Sequence, residues 1–118
     1  GEWRAAFRFE KHLNVEVAFF ISQPHSKSVL AQWVVDQPVH FEPNTKGRCR
    51  NWPIQNQRLQ IRKNGIVVGF AYKGQSTSFA TMSIPVDFEP GDVMDIYSPD
   101  RTWGARNVAI SIIGTLIR

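Results

Sequence analysis

Two clusters in this chain pair arginine with tryptophan. One is Arg48, Arg50 and Trp52, with Lys46 beside them; the other is the run Asp100-Arg101-Thr102-Trp103-Gly104-Ala105-Arg106. A planar guanidinium grips a carboxylate or phosphate through two parallel bonds, and an indole stacks on a sugar or apolar face. That chemistry is recognition rather than bond making. The residue types that make and break bonds lack the company they need. His12, His25 and His40 fall at no metal-ligand spacing. No serine stands in a Gly-x-Ser-x-Gly turn, no glycine-rich loop is placed to cradle a phosphate, and no cysteine–histidine pairing stands out. Asp92, Asp95 and Asp100 do not follow a calcium-loop spacing, and turn formation accounts for Asp92 and Asp100. Cys49 is alone, which removes a disulfide framework and a cysteine-based metal site. The expectation is a non-enzymatic chain with no metal and no cofactor. Each tryptophan has a second possible use, closing the end of a hydrophobic core while the arginines stay solvated.

The elements that must position these clusters are short strands. Asn64-Gly65 lies between two strand-like runs, and a type I′ turn demands φ > 0 at both central residues, which few pairs accept. Trp3, Ala5, Phe7 and Phe9 alternate with Arg4, Ala6, Arg8 and Glu10; Val15, Val17, Phe19 and Ile21 do the same after a turn at His12-Leu13-Asn14. Val29 to Val35 and the short Val39-His40-Phe41 follow. The region from Pro43 to Pro53 reads as irregular, because of its glycine and flanking prolines. Leu59 and Ile61 alternate with polar residues before the hairpin tip, and beyond it Ile66, Val68, Phe70 and Tyr72 share one face. Residues 79–88 read as one strand with Met82, Ile84, Val86 and Phe88 together, and Pro85 inside it marks an edge or a bulge. Met94 to Tyr97 and residues 107–117 complete the set. About eight strands at this spacing, with no 3.6-residue period, predict one antiparallel β-sandwich domain over residues 1–118, most simply a jelly roll.

The last strand is apolar on both sides. Val108, Ile110, Ile112 and Leu116 line one face, and Ala109, Ile113 and Ile117 make the other mostly apolar. An antiparallel sandwich usually leaves one face polar and solvated, so Val108, Ile110, Ile112, Ile113 and Ile117 are candidates for an oligomer interface. A central strand covered by a loop is the alternative. The net charge of +4 is scattered among acids, without a basic run or a ribonucleoprotein-type aromatic motif, so nucleic acid is not an expected partner. No apolar run approaches the roughly 20 residues of a membrane-spanning helix, and no signal peptide or membrane insertion is expected.

Residues 52–116 resemble a β-sandwich module found near the C-terminus of tail fibres and other minor structural proteins of tailed bacteriophages and prophages. The resemblance rests on ordered elements: Leu59-Gln60-Ile61, the turn Lys63-Asn64-Gly65, Val68-Gly69-Phe70, the loop Gly74-Gln75-Ser76-Thr77-Ser78, Val86-Asp87-Phe88-Glu89-Pro90-Gly91-Asp92-Val93, Ile96-Tyr97-Ser98-Pro99-Asp100, and a final strand closing on Gly114-Thr115-Leu116. The chain departs from the pattern where Arg101, Trp103 and Arg106, and likewise Arg48, Arg50 and Trp52, replace small polar loop residues. The resemblance implies a homotrimeric knob with a tumour-necrosis-factor-like jelly roll, at the tip of a tail fibre, spike or tail needle. Its place would be the virion, outside the cell, and its role contact with a bacterial surface glycan or outer-membrane protein. Asp100, Arg101, Trp103 and Arg106, with Arg48, Arg50 and Trp52 as a second surface, would carry that contact. Two other roles fit the same residues: a trimerisation cap without receptor affinity, or a carbohydrate-binding module of a secreted enzyme.

Overall fold

The computed structural model describes residues 2–9, 14–21, 28–51, 58–74, 77–99 and 107–117, and for 2–9 the backbone path alone. These residues form an all-β, antiparallel fold with no helix among them. The strands are β1 Glu2–Phe9, β2 Asn14–Ile21, β3 Ser28–Val34, β4 Val39–Phe41, β5 Lys46–Arg50, β6 Arg58–Lys63, β7 Ile66–Lys73, β8 Ser78–Met82, β9 Val86–Phe88, β10 Val93–Ser98 and β11 Val108–Leu116.

Hydrogen-bonded neighbours run in the order β1-β2-β11-β5-β8-β7-β6-β10-β3, with β4 bridging β11 to β9. The sheet folds over so that β3, at one end of this order, packs back against β1 and β2 at the other. The inner faces enclose one core. Phe19, Ile21, Trp33, Phe41, Leu59, Ile61, Met82, Phe88, Met94, Ile96, Ile110 and Ile112 are its largest side chains, and Phe41 meets Phe88 edge-on with centroids 5.8 Å apart. This is sandwich architecture, as the alternation of apolar residues predicts.

The hairpin tip is where the sequence puts it. Asn64 and Gly65 adopt φ of 50° and 84° between β6 and β7. The Asn64 side chain then ties this turn to the Glu89–Asp92 turn: its Nδ2 donates to Asp92 Oδ1 (3.0 Å) and its Oδ1 accepts from the Val93 amide (2.9 Å). Asp92 also accepts from the Glu89 amide (2.8 Å), and these bonds hold its carboxyl below the usual range, the Glu89 bond most of all. The turn role expected for Asp92 is its observed one.

Three expectations need correcting. Residues 46–50 are not irregular: β5 is a strand, entered through a turn with Pro43 at its second position and Asn44 at its third, φ 66°. Residues 79–88 are two strands, β8 and β9, interrupted at 83–85, where Pro85 has no amide to give to a ladder and Ile84 is exposed. Ile66, Val68, Phe70 and Tyr72 do not share a face. Arg62 pairs with Val67 but Ile61 pairs with Gly69, so Val68 is an extra residue that resets the alternation. Val68 and Ala71 point into the core, while Phe70 and Tyr72 lie on the outside.

Candidate functional site

The outer face of the sheet collects the cations and rings that the core excludes. On β5, Gly47 and Cys49 face inward, leaving Lys46, Arg48 and Arg50 exposed on the outer side. Cross-strand pairing extends this pattern in rows. Ala18 of β2, Ser111 of β11, Arg48 of β5, Phe79 of β8, Tyr72 of β7 and Arg58 of β6 are successive partners. A neighbouring row holds Lys46, Thr81, Phe70, Gln60 and Tyr97.

The rings in these rows are paired with cations. The Arg58 guanidinium carbon lies 5.2 Å from the Phe70 centroid and 5.7 Å from that of Tyr72, and Lys46 Nζ lies 6.0 Å from Phe79. Tyr72 and Phe79 meet edge-to-face at 4.3 Å. Arg62 is different. It lies 4.2 Å from the Tyr97 ring and also binds Asp95 through two bonds, Nε to Oδ1 at 2.7 Å and Nη2 to Oδ2 at 2.8 Å.

Where the face reaches β2, β11 and β5 it is hollowed. Phe20, 41% exposed, stands on one side; Arg48 and Arg50 stand on the other; Ala18, Ala109 and Ser111 form the floor. The groove has a volume of about 310 Å³, the low end of the range for small-ligand sites. A second depression, lined by Lys46 and Ile113, lies next to it along the same three strands and shares Glu16, Arg48 and Ser111. Glu16 is the one acid here among the described residues, and it accepts a hydrogen bond from Ser111 Oγ at 2.5 Å. No described carboxylate forms an ion pair with Lys46, Arg48, Arg50 or Arg58.

Of the sequence-selected binding residues, the structure therefore brings Arg48 and Arg50 together, on a sheet face rather than in a loop. Trp52, Asp100, Arg101, Trp103 and Arg106 lie outside the described residues. The interface candidates divide. Val108, Ile110 and Ile112 are wholly buried in the core of a single chain, so their apolar character needs no partner. Ile113 is 43% exposed and Ile117 half-buried, and both remain accessible to one. Nothing in the sequence marks Phe20, Ala109, Ser111, Phe70, Tyr72 or Phe79 as site residues; register alone brings them to one face with Arg48 and Arg50.

Groups with acid–base chemistry are engaged elsewhere. Burial pushes the Cys49 thiol up to about 12, which leaves no thiolate at neutral pH. His40, half-buried on β4, shares a short hydrogen bond through Nδ1 with Asp87 of β9, and its Nε2 lies 2.9 Å from Glu42 Oε1. A carboxylate thus lies against each ring nitrogen, and among the described residues no hydroxyl is held in line as in a nucleophilic triad. His12 and His25 lie outside the described residues.

The two carboxylates raise the His40 pKa above its ordinary 6.5, the Asp87 bond most and the Glu42 bond next. The folded state thus holds this proton more tightly than the unfolded one. The stabilisation is fully present below pH 6.5 and disappears as pH rises through the raised value. Melting curves across that window should show a fall in Tm on the alkaline side. His40→Gln, which carries no titratable proton, should flatten it; an equal fall in that variant would assign the transition to another group.

Compared with known protein families, curated proteins and solved structures, the chain matches none.

Proposed function

We propose that this chain is a non-enzymatic adhesin domain, the knob of a tailed-phage fibre, spike or tail needle, which contacts a bacterial surface glycan or outer-membrane protein. The observation that carries a binding role is the outer sheet face, where Lys46, Arg48, Arg50 and Arg58 stand among Phe20, Phe70, Tyr72 and Phe79 without a described carboxylate partner. Contacts between rings and cations stabilise a sheet by themselves, but Arg48 and Arg50 stand in no such contact among the described residues and have no described carboxylate partner. The phage assignment is supported by the resemblance of residues 52–116. The strand pairings β2–β11–β5–β8 and β3–β10–β6–β7 support a jelly-roll reading of the sandwich. Asp100, Arg101, Trp103, Arg106 and Trp52 are proposed as further contact residues on the strength of their chemistry. A glycan array probed with the labelled domain, alongside competition with host adsorption, tests the role; a domain that binds no glycan and does not slow adsorption is a structural cap instead.

The homotrimer in this reading rests on Ile113 of β11 and on Ile117 just beyond that strand, not on the buried residues of β11; Ile113 shares the outer face with Ser111 and Arg48, so copies that close over it compete with a ligand for the neighbouring groove. The wild-type chain should scatter light as a trimer, and Ile113→Asp should convert it to a folded monomer, since the side chain is already 43% exposed in the single chain, with a Tm that no longer depends on concentration. A concentration-independent wild-type monomer would remove the trimer.

A further inference from the structure

We propose that the groove between Phe20 and the Arg48–Arg50 pair is a subsite for a carboxylate-bearing sugar. The inference rests on the glycan-binding reading above and adds to it the acidic class of saccharide and the residues that select it.

The charge pattern comes first. Arg48 and Arg50 are alternate residues of β5, so both guanidiniums project from one face about 7 Å apart at the backbone. Two like charges that close repel, and no described carboxylate relieves them. Glu16, the acid lining the same groove, accepts the Ser111 hydroxyl through one oxygen and keeps its charge, so the two arginines leave the groove with a net positive charge of one. An incoming anion could bridge the two arginines through the two-point geometry that each guanidinium offers a carboxylate.

The shape of the groove comes second. Ala109 lies between Phe20 and Arg50 in the cross-strand row, and Ser111 lies between Ala18 and Arg48. Small residues on the middle strand keep the floor low while taller side chains rise on either side. The walls are two strand spacings apart, roughly 10 Å, which admits one sugar ring lying between them. Phe20 then offers an apolar surface to the carbon side of that ring, opposite the cations. A free inorganic anion would make no use of Phe20, and an apolar peptide would leave both arginines desolvated and unpaired.

Single-stranded nucleic acid also combines anions with stackable faces. The rings suited to it are Phe70, Tyr72 and Phe79, but cations lie against them and Tyr72 meets Phe79 at 65°. That arrangement gives no run of free ring faces on which successive bases could stack. Acidic saccharide is the occupant these features favour.

The test is titration of the intact chain with tetragalacturonate and with sialyllactose, two carboxylate-bearing saccharides, in parallel with maltotetraose, fully methyl-esterified tetragalacturonate, inorganic phosphate and an oligothymidylate. Expected is binding of at least one acidic saccharide, weakened about tenfold or more by methyl esterification, by the Arg48→Gln/Arg50→Gln pair, and by 0.5 M salt. Phe20→Ala should weaken it about fivefold in a chain that still melts cooperatively. Arg48→Lys/Arg50→Lys keeps the charge but not the planar fork and should fall between. If maltotetraose binds equally well at the same residues, the acidic class is wrong while the glycan reading stands. If neither acidic saccharide binds although the domain still blocks host adsorption, the subsite is wrong and the adhesin reading survives. Tighter binding of phosphate or of the oligothymidylate overturns the proposal, as does a change of oligomeric mass in the glutamine variant, which would make the groove an interface between copies.

Discussion

Gly47→Ala should be among the most damaging single-methyl additions in this chain, lowering stability by about 3 kcal/mol and Tm by about 12 °C. A Cβ at Gly47 would lie 1.8 Å from the Ser111 carbonyl oxygen, 2.8 Å from its carbonyl carbon and 3.0 Å from Ile112 Cα. Every one of these atoms is backbone, so no side chain can swing aside. The strand β5 would have to lift from β11, breaking the pairs Ala109–Arg50, Ile110–Cys49 and Ser111–Arg48. Gly65→Ala is the control. At Gly65 a Cβ meets nothing within 4 Å, and only its φ of 84° resists substitution, a cost of about 1 kcal/mol. Thermal melts of the two variants should therefore differ widely, with Gly47→Ala also losing the saccharide titration because Arg48 and Arg50 move with β5. A Gly47→Ala chain that melts with Gly65→Ala would show that β5 does not approach β11 so closely.

The parts of the fold legible in the sequence are those with strong local signals. Asn64-Gly65 fixes a hairpin by backbone sterics alone, and β2, β4 and β11 announce their inner faces through Val, Phe and Ile at alternate positions. β5 hides for the opposite reason. Its inner residues are Gly47 and Cys49, chosen for close approach rather than bulk, so the alternation is present without a hydrophobic signal. β7 misleads because one extra residue, Val68, resets the parity of everything after it. Phe70 and Tyr72 read as continuing the face of Val68, yet they stand outside beside Arg58.

The candidate site is split in the same way. Arg48 and Arg50 are legible from their chemistry. Their neighbours Phe20, Ala109 and Ser111 come from strands far away in the chain, and only the register of β2, β11 and β5 brings them to one row. Single-strand patterns carry no register between distant strands. The apolar run of β11 illustrates the risk. Two apolar faces suggested a partner, but the Val108–Ile110–Ile112 face is the chain's own core, and only Ile113 and Ile117 remain for another copy.

The second large effect is expected at the Arg62–Asp95 pair, which joins β6 to β10 on the outer face. Asp95 is 9% and Arg62 19% exposed at the side chain, so both charges are largely withdrawn from water and depend on each other. Asp95→Leu should cost about 2–3 kcal/mol, or about 10 °C in Tm, because it leaves the guanidinium without its two-point acceptor while Leu cannot return the hydrogen bonds. Arg62→Met should cost a similar amount by stranding the carboxylate. Together they should cost much less than their sum, within about 1 kcal/mol of the wild type, since two apolar side chains of similar length replace two charges that needed each other. Tyr97 makes the forecast sharper. Arg62 covers its ring at 4.2 Å, and Met can cover the same surface without a charge to desolvate. Thermal or denaturant melts of the two single variants and the double variant close this cycle. Strict additivity would mean that the bidentate bond contributes little and that β6 and β10 are held by the core residues Ile61 and Ile96 beneath it.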